Sequence, residues 1–156
     1  MTRLQFARTW FCAVAAGIAI FGLVFAFARG TALFAVFNAQ YDPVFWAGGP
    51  DAAALAFRGW VYGVLGAVMI GWGTTMFFLG LYGFPTRQRW VRQSITVSVP
   101  AWYVVDTYIS WKAGVNFNVI FNTVLLLLVL APVMVAWSEF TGPPDVGAEK
   151  STESTP

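Results

Sequence analysis

Four apolar blocks, each about 20 residues long, dominate this chain and limit the folds open to it. They cover approximately residues 10–28, 59–81, 94–111 and 118–137. A helix of that length crosses the hydrocarbon core of a bilayer. The third block is the least apolar, because it carries Ser, Thr, Pro and Asp, but the short loops that frame it favour a span there too. We therefore predict an all-α integral membrane protein in which residues 1–140 form a four-transmembrane-helix bundle.

Composition narrows the function classes as well. Of the 156 residues, 58% are hydrophobic and 10% are charged, which is the balance of a membrane protein rather than of a soluble domain. A net charge of +2, with basic residues at the edges of the blocks, is too small and scattered for a nucleic-acid surface. The chain has no histidine and a single cysteine, Cys12, so it lacks the commonest haem and zinc ligand and any internal disulfide. We expect no cofactor, no metal site and no catalytic residue that can be named.

The first block has an alternative interpretation as a secretory signal peptide. Arg3 and Arg8 would form its basic region, and the Ala-Phe-Ala at residues 26–28 resembles a cleavage site. The apolar stretch between them exceeds the roughly 7–15 residues of a signal core. An uncleaved first helix is therefore the preferred interpretation.

The basic residues predict how the bundle is oriented, because Lys and Arg are enriched in cytoplasmic loops. Six of them fall on one side of the four spans: Arg3, Arg8, Arg87, Arg89, Arg92 and Lys150. Three fall on the other side: Arg29, Arg58 and Lys112. We predict a multi-pass protein of the cytoplasmic (inner) membrane with both termini inside. The polar residues 141–156 are predicted to form a disordered cytoplasmic tail.

The segment between the first two spans, residues 29–58, is unusually rich in aromatic residues for a loop. We predict that it lies in the outer interface with its rings among the headgroups. Asp42-Pro43 and residues 48–50 are typical of turns, and Asp51 suits the start of a long second helix. The segment could be a lid over an outward-facing cavity or a passive interfacial helix, and the passive interpretation is preferred.

Glycines recur along the second block with a period of seven residues. They are Gly59, Gly66, Gly73 and Gly80, and Gly63 adds a G-x-x-x-G with Gly59. A seven-residue period keeps one seam of a helix facing a left-handed partner, and glycine lets two backbones approach closely in lipid. The seam is predicted to pack on another helix of the same chain, with a second subunit as the alternative.

A polar cluster is predicted around Asp106, which lies in a stretch, residues 95–111, with no other charged group. Asp106 and Ser110 precede Gly114 by eight and four residues, while Asn118 and Asn122 follow it by four and eight. A helical hairpin turning at Gly114 would bring these side chains to matched depths. Arg58 is the nearby cation that could reach this cluster, although snorkelling to the interface is the preferred interpretation.

Two tryptophans, Trp72 and Trp102, fall in the middle of their spans instead of at an interface. Trp102 lies one helical turn from Asp106. The pair could wall an apolar ligand pocket between helices. They could also be bulky fillers opposite the glycine seam, which is the preferred interpretation.

Three functions remain open for such a chain. The first is a non-enzymatic accessory or interaction subunit, whose partners are the lipid bilayer and another membrane protein or a second copy. The second is a carrier or binding protein for a small ligand, proton or cation, with Asp106 as the titrating group. An intramembrane enzyme ranks third, because Asp106 would act alone. A wholly packed interior with Asp106 bonded to Asn122 would favour the first function. A second carboxylate or a bound lipid near Asp106 would favour one of the other two.

Overall fold

The computed structural model describes residues 1–28 and 30–142, except for the side chain of Leu33, and all regular structure in these ranges is helical. Five helices follow one another along the chain: α1 (Arg3–Phe27), α2 (Ala32–Phe45), α3 (Ala52–Phe78), α4 (Arg89–Lys112) and α5 (Asn116–Val135). A π-helical turn, Leu79–Gly83, and a short helical piece, Phe84–Thr86, prolong α3. A 3₁₀ turn, Trp137–Glu139, follows α5. Arg29 and all of the predicted tail beyond Gly142 lie outside the described residues.

Three helices are long and apolar enough to cross a membrane: Arg3–Phe27, Ala52–Thr86 and Asn116–Val135. They contain the first, second and fourth apolar blocks, so the prediction of an all-α chain of membrane type is confirmed to that extent. The third block forms α4, which is the least hydropathic of the long helices. Large apolar side chains remain exposed along all three candidate spans, among them Ile20, Val68 and Leu127, as expected where lipid replaces water.

The glycine seam of α3 packs against α1. A Cβ atom added to Gly66 would lie 2.5 Å from the carbonyl oxygen of Gly22, and one added to Gly73 would lie 2.6 Å from the backbone nitrogen of Ala19. The same addition at Gly80 would come within 2.7 Å of Cys12 Sγ. The partner of the seam is therefore a helix of the same chain. A Cβ atom added to Gly63 would meet no other atom within 4 Å. Gly59 is half-buried near the start of α3.

The main apolar core fills the end of the bundle where α1 and α4 begin. It joins Phe11 and Ile18 of α1 to Met76 of α3, Ile95 of α4 and Val129 of α5. Two arginines contact the segment that follows α5 at this end, which we call the basic end. Arg87 forms an ion pair with Glu139 at 3.1 Å, and the Arg92 guanidinium lies 4.0 Å above the ring of Trp137. The four long helices are thus held together at the basic end.

A second, aromatic core fixes α2 to the opposite end of the bundle. Phe34 and Phe37 of α2 are buried against Phe25 of α1 and Tyr62 of α3. The expectation that the rings of this segment lie among headgroups is wrong for Phe34 and Phe37. Their spacing of three residues places both on one face of a helix, and that face is covered by protein.

The predicted turn at Asp42-Pro43 is also wrong, because both residues lie inside α2. Pro43 falls in the last turn of the helix. It has no N–H to donate to the carbonyl four residues earlier, and the helix ends two residues later. The turn predicted at residues 48–50 is present, with Gly49 N–H bonded to the Trp46 carbonyl at 2.8 Å. Asp51 begins α3 as predicted, since its carboxylate accepts from Ala54 N–H at 2.8 Å.

A tight turn joins α4 to α5 and sets their register. Gly114 has φ of +79°, a conformation that glycine adopts without a steric cost. The N–H of Val115 bonds to the Ser110 carbonyl at 2.9 Å, and the N–H of Gly114 bonds to the Trp111 carbonyl at 3.0 Å. This Schellman arrangement satisfies the last carbonyls of α4 and turns the chain back on itself.

Candidate ligand-binding cavity

One carboxyl oxygen of Asp106 is the hub of a hydrogen-bond network across the α4–α5 hairpin. Asp106 Oδ1 accepts from Ser110 Oγ at 3.1 Å, from Asn118 Nδ2 at 2.9 Å and from Asn122 Nδ2 at 2.9 Å. Asn118 Nδ2 also donates to Ser110 Oγ at 2.7 Å. The structure therefore brings together four of the five residues that the sequence assigned to the polar cluster.

The network extends along the hairpin through residues that the sequence analysis did not single out. Asn122 Nδ2 donates to Thr107 Oγ1 at 3.4 Å. The hydroxyls of Tyr103 and Thr123 are 3.1 Å apart, one turn nearer to the basic end. Tyr103 and Thr123 lie eleven and nine residues from Gly114. Because these spacings are unequal, the mirror relation that revealed the cluster does not include this pair.

Arg58, the fifth predicted member, is an ion-pair partner of Asp42 on α2. The arginine of α3 and the carboxylate of α2 are both well shielded, with side-chain exposures of 14% and 26%. This ion pair connects α2 to α3. A hydrogen bond from Tyr62 Oη to Asn38 Oδ1 at 3.1 Å connects the same two helices. The sequence did not reveal the pairing, because it depends on where α2 lies.

A cavity of about 770 Å³ opens between α3 and α4 and reaches Asp106. All five helices contribute to it, and most of its wall is aromatic or aliphatic. The polar part of the wall belongs to α4 and α5, apart from Arg58 of α3. The main aromatic residues of the wall are Phe21, Phe25, Phe37, Tyr41, Phe45, Trp46, Phe57, Tyr62, Trp72, Trp102 and Phe121. The polar residues are Arg58, Asp106, Ser110, Asn118 and Asn122. A cavity of this size suits a small organic molecule.

Trp72 and Trp102 form the floor of the cavity. Their ring centroids are 5.3 Å apart with an interplanar angle of 42°. Both rings also pack on the main apolar core below. The two tryptophans thus join α3 to α4 where the packed half of the bundle ends and the cavity begins.

Tyr41 and Phe45 of α2, and Trp46 directly after it, line the cavity at the end away from the basic end. Burial raises the pKa of Tyr41 to about 12, with smaller contributions from Tyr62 and Asp106. Its phenol therefore stays neutral at physiological pH and adds no charge to the cavity. Tyr41 can serve as a polar contact at this end of the cavity.

The described residues contain no cluster of three or more His, Cys, Asp or Glu that could hold a metal ion. The polar chemistry of the cavity is hydrogen bonding around one carboxyl group, with two amides and a hydroxyl as its neighbours. Such a wall can orient one polar group of a ligand whose remainder is apolar. No family model, curated protein or solved structure matches this chain.

Proposed function

We propose that this protein binds a small, largely apolar molecule inside the membrane, as a carrier or a binding protein. The observation that supports the proposal is the cavity of about 770 Å³, which has an aromatic wall and the Asp106 cluster on one side. Space of that size inside a packed bundle forgoes many van der Waals contacts. A ligand that fills it would restore those contacts and would place its polar group beside Asp106.

This proposal places the second of the three functions ahead of the first. An accessory subunit needs only a well-packed bundle, and in such a bundle the bond between Asp106 and Asn122 would serve to hold α4 on α5. The cavity is the feature that this simpler role leaves unexplained. An interaction with another membrane protein, or with a second copy, stays a prediction.

The ligand would enter sideways, between α3 and α4. Leu65 and Val68 of α3 and Ile109 of α4 line the cavity and are also exposed on the outer surface, at 43%, 62% and 60%. A second, shallower hollow on α4 continues outward past Asp106 and Val105. If α4 spans the membrane, this opening faces lipid, which is where an apolar ligand would be dissolved.

We propose α4 as the fourth span, despite its lower hydropathy. At 1.5 Å per residue its 24 residues extend about 36 Å, which exceeds the hydrocarbon thickness. Its hydroxyls are already bonded within the helix, Ser94 to the Trp90 carbonyl at 2.8 Å and Ser98 to the Ser94 carbonyl at 2.6 Å. Its outer face presents apolar side chains such as Val97 and Val104. These features lower the cost of placing α4 in lipid.

Cysteine labelling tests the span count and the orientation together. In a Cys12→Ala background, we expect an impermeant reagent to label Gly48→Cys and Asn116→Cys from outside intact cells. Gln93→Cys should react only after the membrane is opened. All three positions are exposed, and a Cβ at Gly48 meets open space. Protection of Asn116→Cys alone would contradict the fourth span, and the inverse pattern at all three positions would contradict the orientation.

The proposed function predicts a bound molecule. Native mass spectrometry of the protein, purified in mild detergent, should show a discrete adduct that survives removal of the detergent micelle. The adduct should disappear when the protein is washed with an excess of an apolar competitor. A spectrum that contains bare protein alone under conditions that preserve lipid adducts on other membrane proteins would contradict the proposal.

A further inference from the structure

We infer that the ligand carries a protonated amine on an apolar body, and that its ammonium group binds the second carboxyl oxygen of Asp106. This inference rests on the proposed function and specifies the chemical class of the ligand. It follows from three properties of the cavity: which hydrogen-bonding atoms are still available, how the charges are compensated, and what covers the rest of the wall.

Hydrogen-bond donors in the Asp106 cluster are used up within the cluster. Both N–H groups of Asn118 are engaged, by Asp106 and Ser110, and both N–H groups of Asn122 are engaged, by Asp106 and Thr107. The Ser110 hydroxyl donates to Asp106. A side-chain amide has two N–H donors and a hydroxyl has one. Ser110, Asn118 and Asn122 therefore have no donor left for a ligand, whereas oxygen acceptors remain beside Asp106.

The acceptors that remain are oxygen atoms. Among the described residues, all the hydrogen bonds to Asp106 converge on Oδ1, which leaves Oδ2 for another partner. No buried side-chain oxygen or nitrogen of the described residues is without a hydrogen bond, so Oδ2 is accessible from the cavity. The amide oxygen of Asn118, which is half-buried, is in the same position, whereas Asn122 is only 2% exposed. An ammonium carries three N–H donors and no acceptor, which suits a site whose available groups are acceptors.

Charge compensation also favours a cation. Arg58 and Asp42 neutralise each other, and Tyr41 remains a neutral phenol. Among the described residues, Asp106 is then an acid that lines the cavity without a cation beside it. A carboxylate in an apolar cavity is costly until a cation with good hydrogen-bond geometry joins it. A ligand ammonium at Oδ2 would supply that cation.

The remainder of the wall suits the same class of ligand. The rings of Phe21, Phe37 and Trp102 line the space around the polar cluster. Aromatic faces attract cations, most strongly where water is excluded, and they also bury the apolar body of a ligand. Beside Asp106, a carboxylic acid or a phosphate would instead meet oxygen acceptors. An alcohol could donate one hydrogen bond but carries no positive charge to pair with a carboxylate.

Three probes of one shape separate these possibilities: 1-naphthylmethylamine, 1-naphthalenemethanol and 1-naphthoic acid. Their binding to the full chain in detergent would be measured by equilibrium dialysis against protein-free micelles. We expect the amine to bind about tenfold more tightly than the alcohol, since a hydrogen bond to a charged group is stronger than a neutral one by about that factor. The acid should bind most weakly.

Asp106→Asn should lower the affinity for the amine about tenfold and leave that for the alcohol nearly unchanged. Asp51→Asn is the matched control, because Asp51 is an exposed helix cap that asparagine replaces well, and its affinities should equal those of the wild type. Equal binding of amine and alcohol by the wild type would overturn the inference while leaving the proposed function standing. Binding of none of the three probes would contradict both. The selectivity of the wild type decides the question even if Asp106→Asn fails to fold.

Discussion

Gly66→Leu should separate α1 from α3 and lower the free energy of unfolding by about 3 kcal/mol. The added Cβ alone would lie 2.5 Å from the Gly22 carbonyl oxygen and 2.6 Å from the Ala26 backbone nitrogen. Both neighbours are backbone atoms of a long helix and cannot move aside independently. The helices would have to part along the whole seam, which removes the close contact that drives association in lipid. Thermal unfolding in detergent, followed by circular dichroism, measures the effect.

Gly63→Leu is the matched control for this prediction. Gly63 lies one turn away in the same helix, and a Cβ placed there meets nothing within 4 Å. Leucine is the better helix former by close to 1 kcal/mol, so this variant should unfold at the wild-type temperature or slightly above it. Equal unfolding temperatures for Gly66→Leu and Gly63→Leu would contradict the packing of α3 on α1.

The sequence predicted the helical blocks well, because long apolar segments leave the chain few alternatives. Their ends were less predictable. α1 starts at Arg3, well before its apolar block, because Thr2 and Gln5 form a capping box in which each side chain bonds to the other's backbone. A helix was expected between the first two spans, but the end of α2 was mispredicted because Asp42-Pro43 was interpreted as a turn. The aromatic spacing of Phe34, Phe37 and Tyr41 is helical.

Hydropathy alone gives little support to α4 as the proposed fourth span. The scale counts Ser94, Thr96 and Ser98 as polar wherever they occur, whereas in the helix each hydroxyl bonds to a carbonyl four residues earlier. Asp106 likewise has three internal donors. The polar character of the segment is real, but it is satisfied inside the hairpin. A residue-by-residue scale cannot register that compensation.

The positions of Asp106, Ser110, Asn118 and Asn122 were accessible from sequence because a single glycine turn fixes the register of a hairpin. The ion pair of Arg58 with Asp42 was not, because it depends on the docking of α2. The cavity itself was also hidden. It exists because α3 packs on α1 and α4 packs on α5, while α3 and α4 meet each other through Trp72 and Trp102. The spacing of residues along one helix carries no information on a gap between two helices.

Val61→Trp should abolish ligand binding by filling part of the cavity. Val61 is half-buried on α3 and lines the cavity, so a larger ring there would occupy the space that the ligand needs. Val64→Trp is the matched control: Val64 is 46% exposed and is not among the residues that line the cavity. Both variants should fold, because both side chains have room, in the cavity or in lipid.

Saturable photolabelling tests the binding cavity most directly. A diazirine probe on a rigid, fused-ring amine would be irradiated with the purified full chain at rising concentrations, and labelled sites would be mapped by mass spectrometry. Labelling at Trp102 and Asp106 should saturate, and Val61→Trp should reduce it at least tenfold while Val64→Trp leaves it unchanged. Labelling of Val97, on the outer face of α4, should rise linearly in all three proteins. Linear labelling at Trp102 and Asp106, unchanged by Val61→Trp, would contradict a binding cavity between α3 and α4.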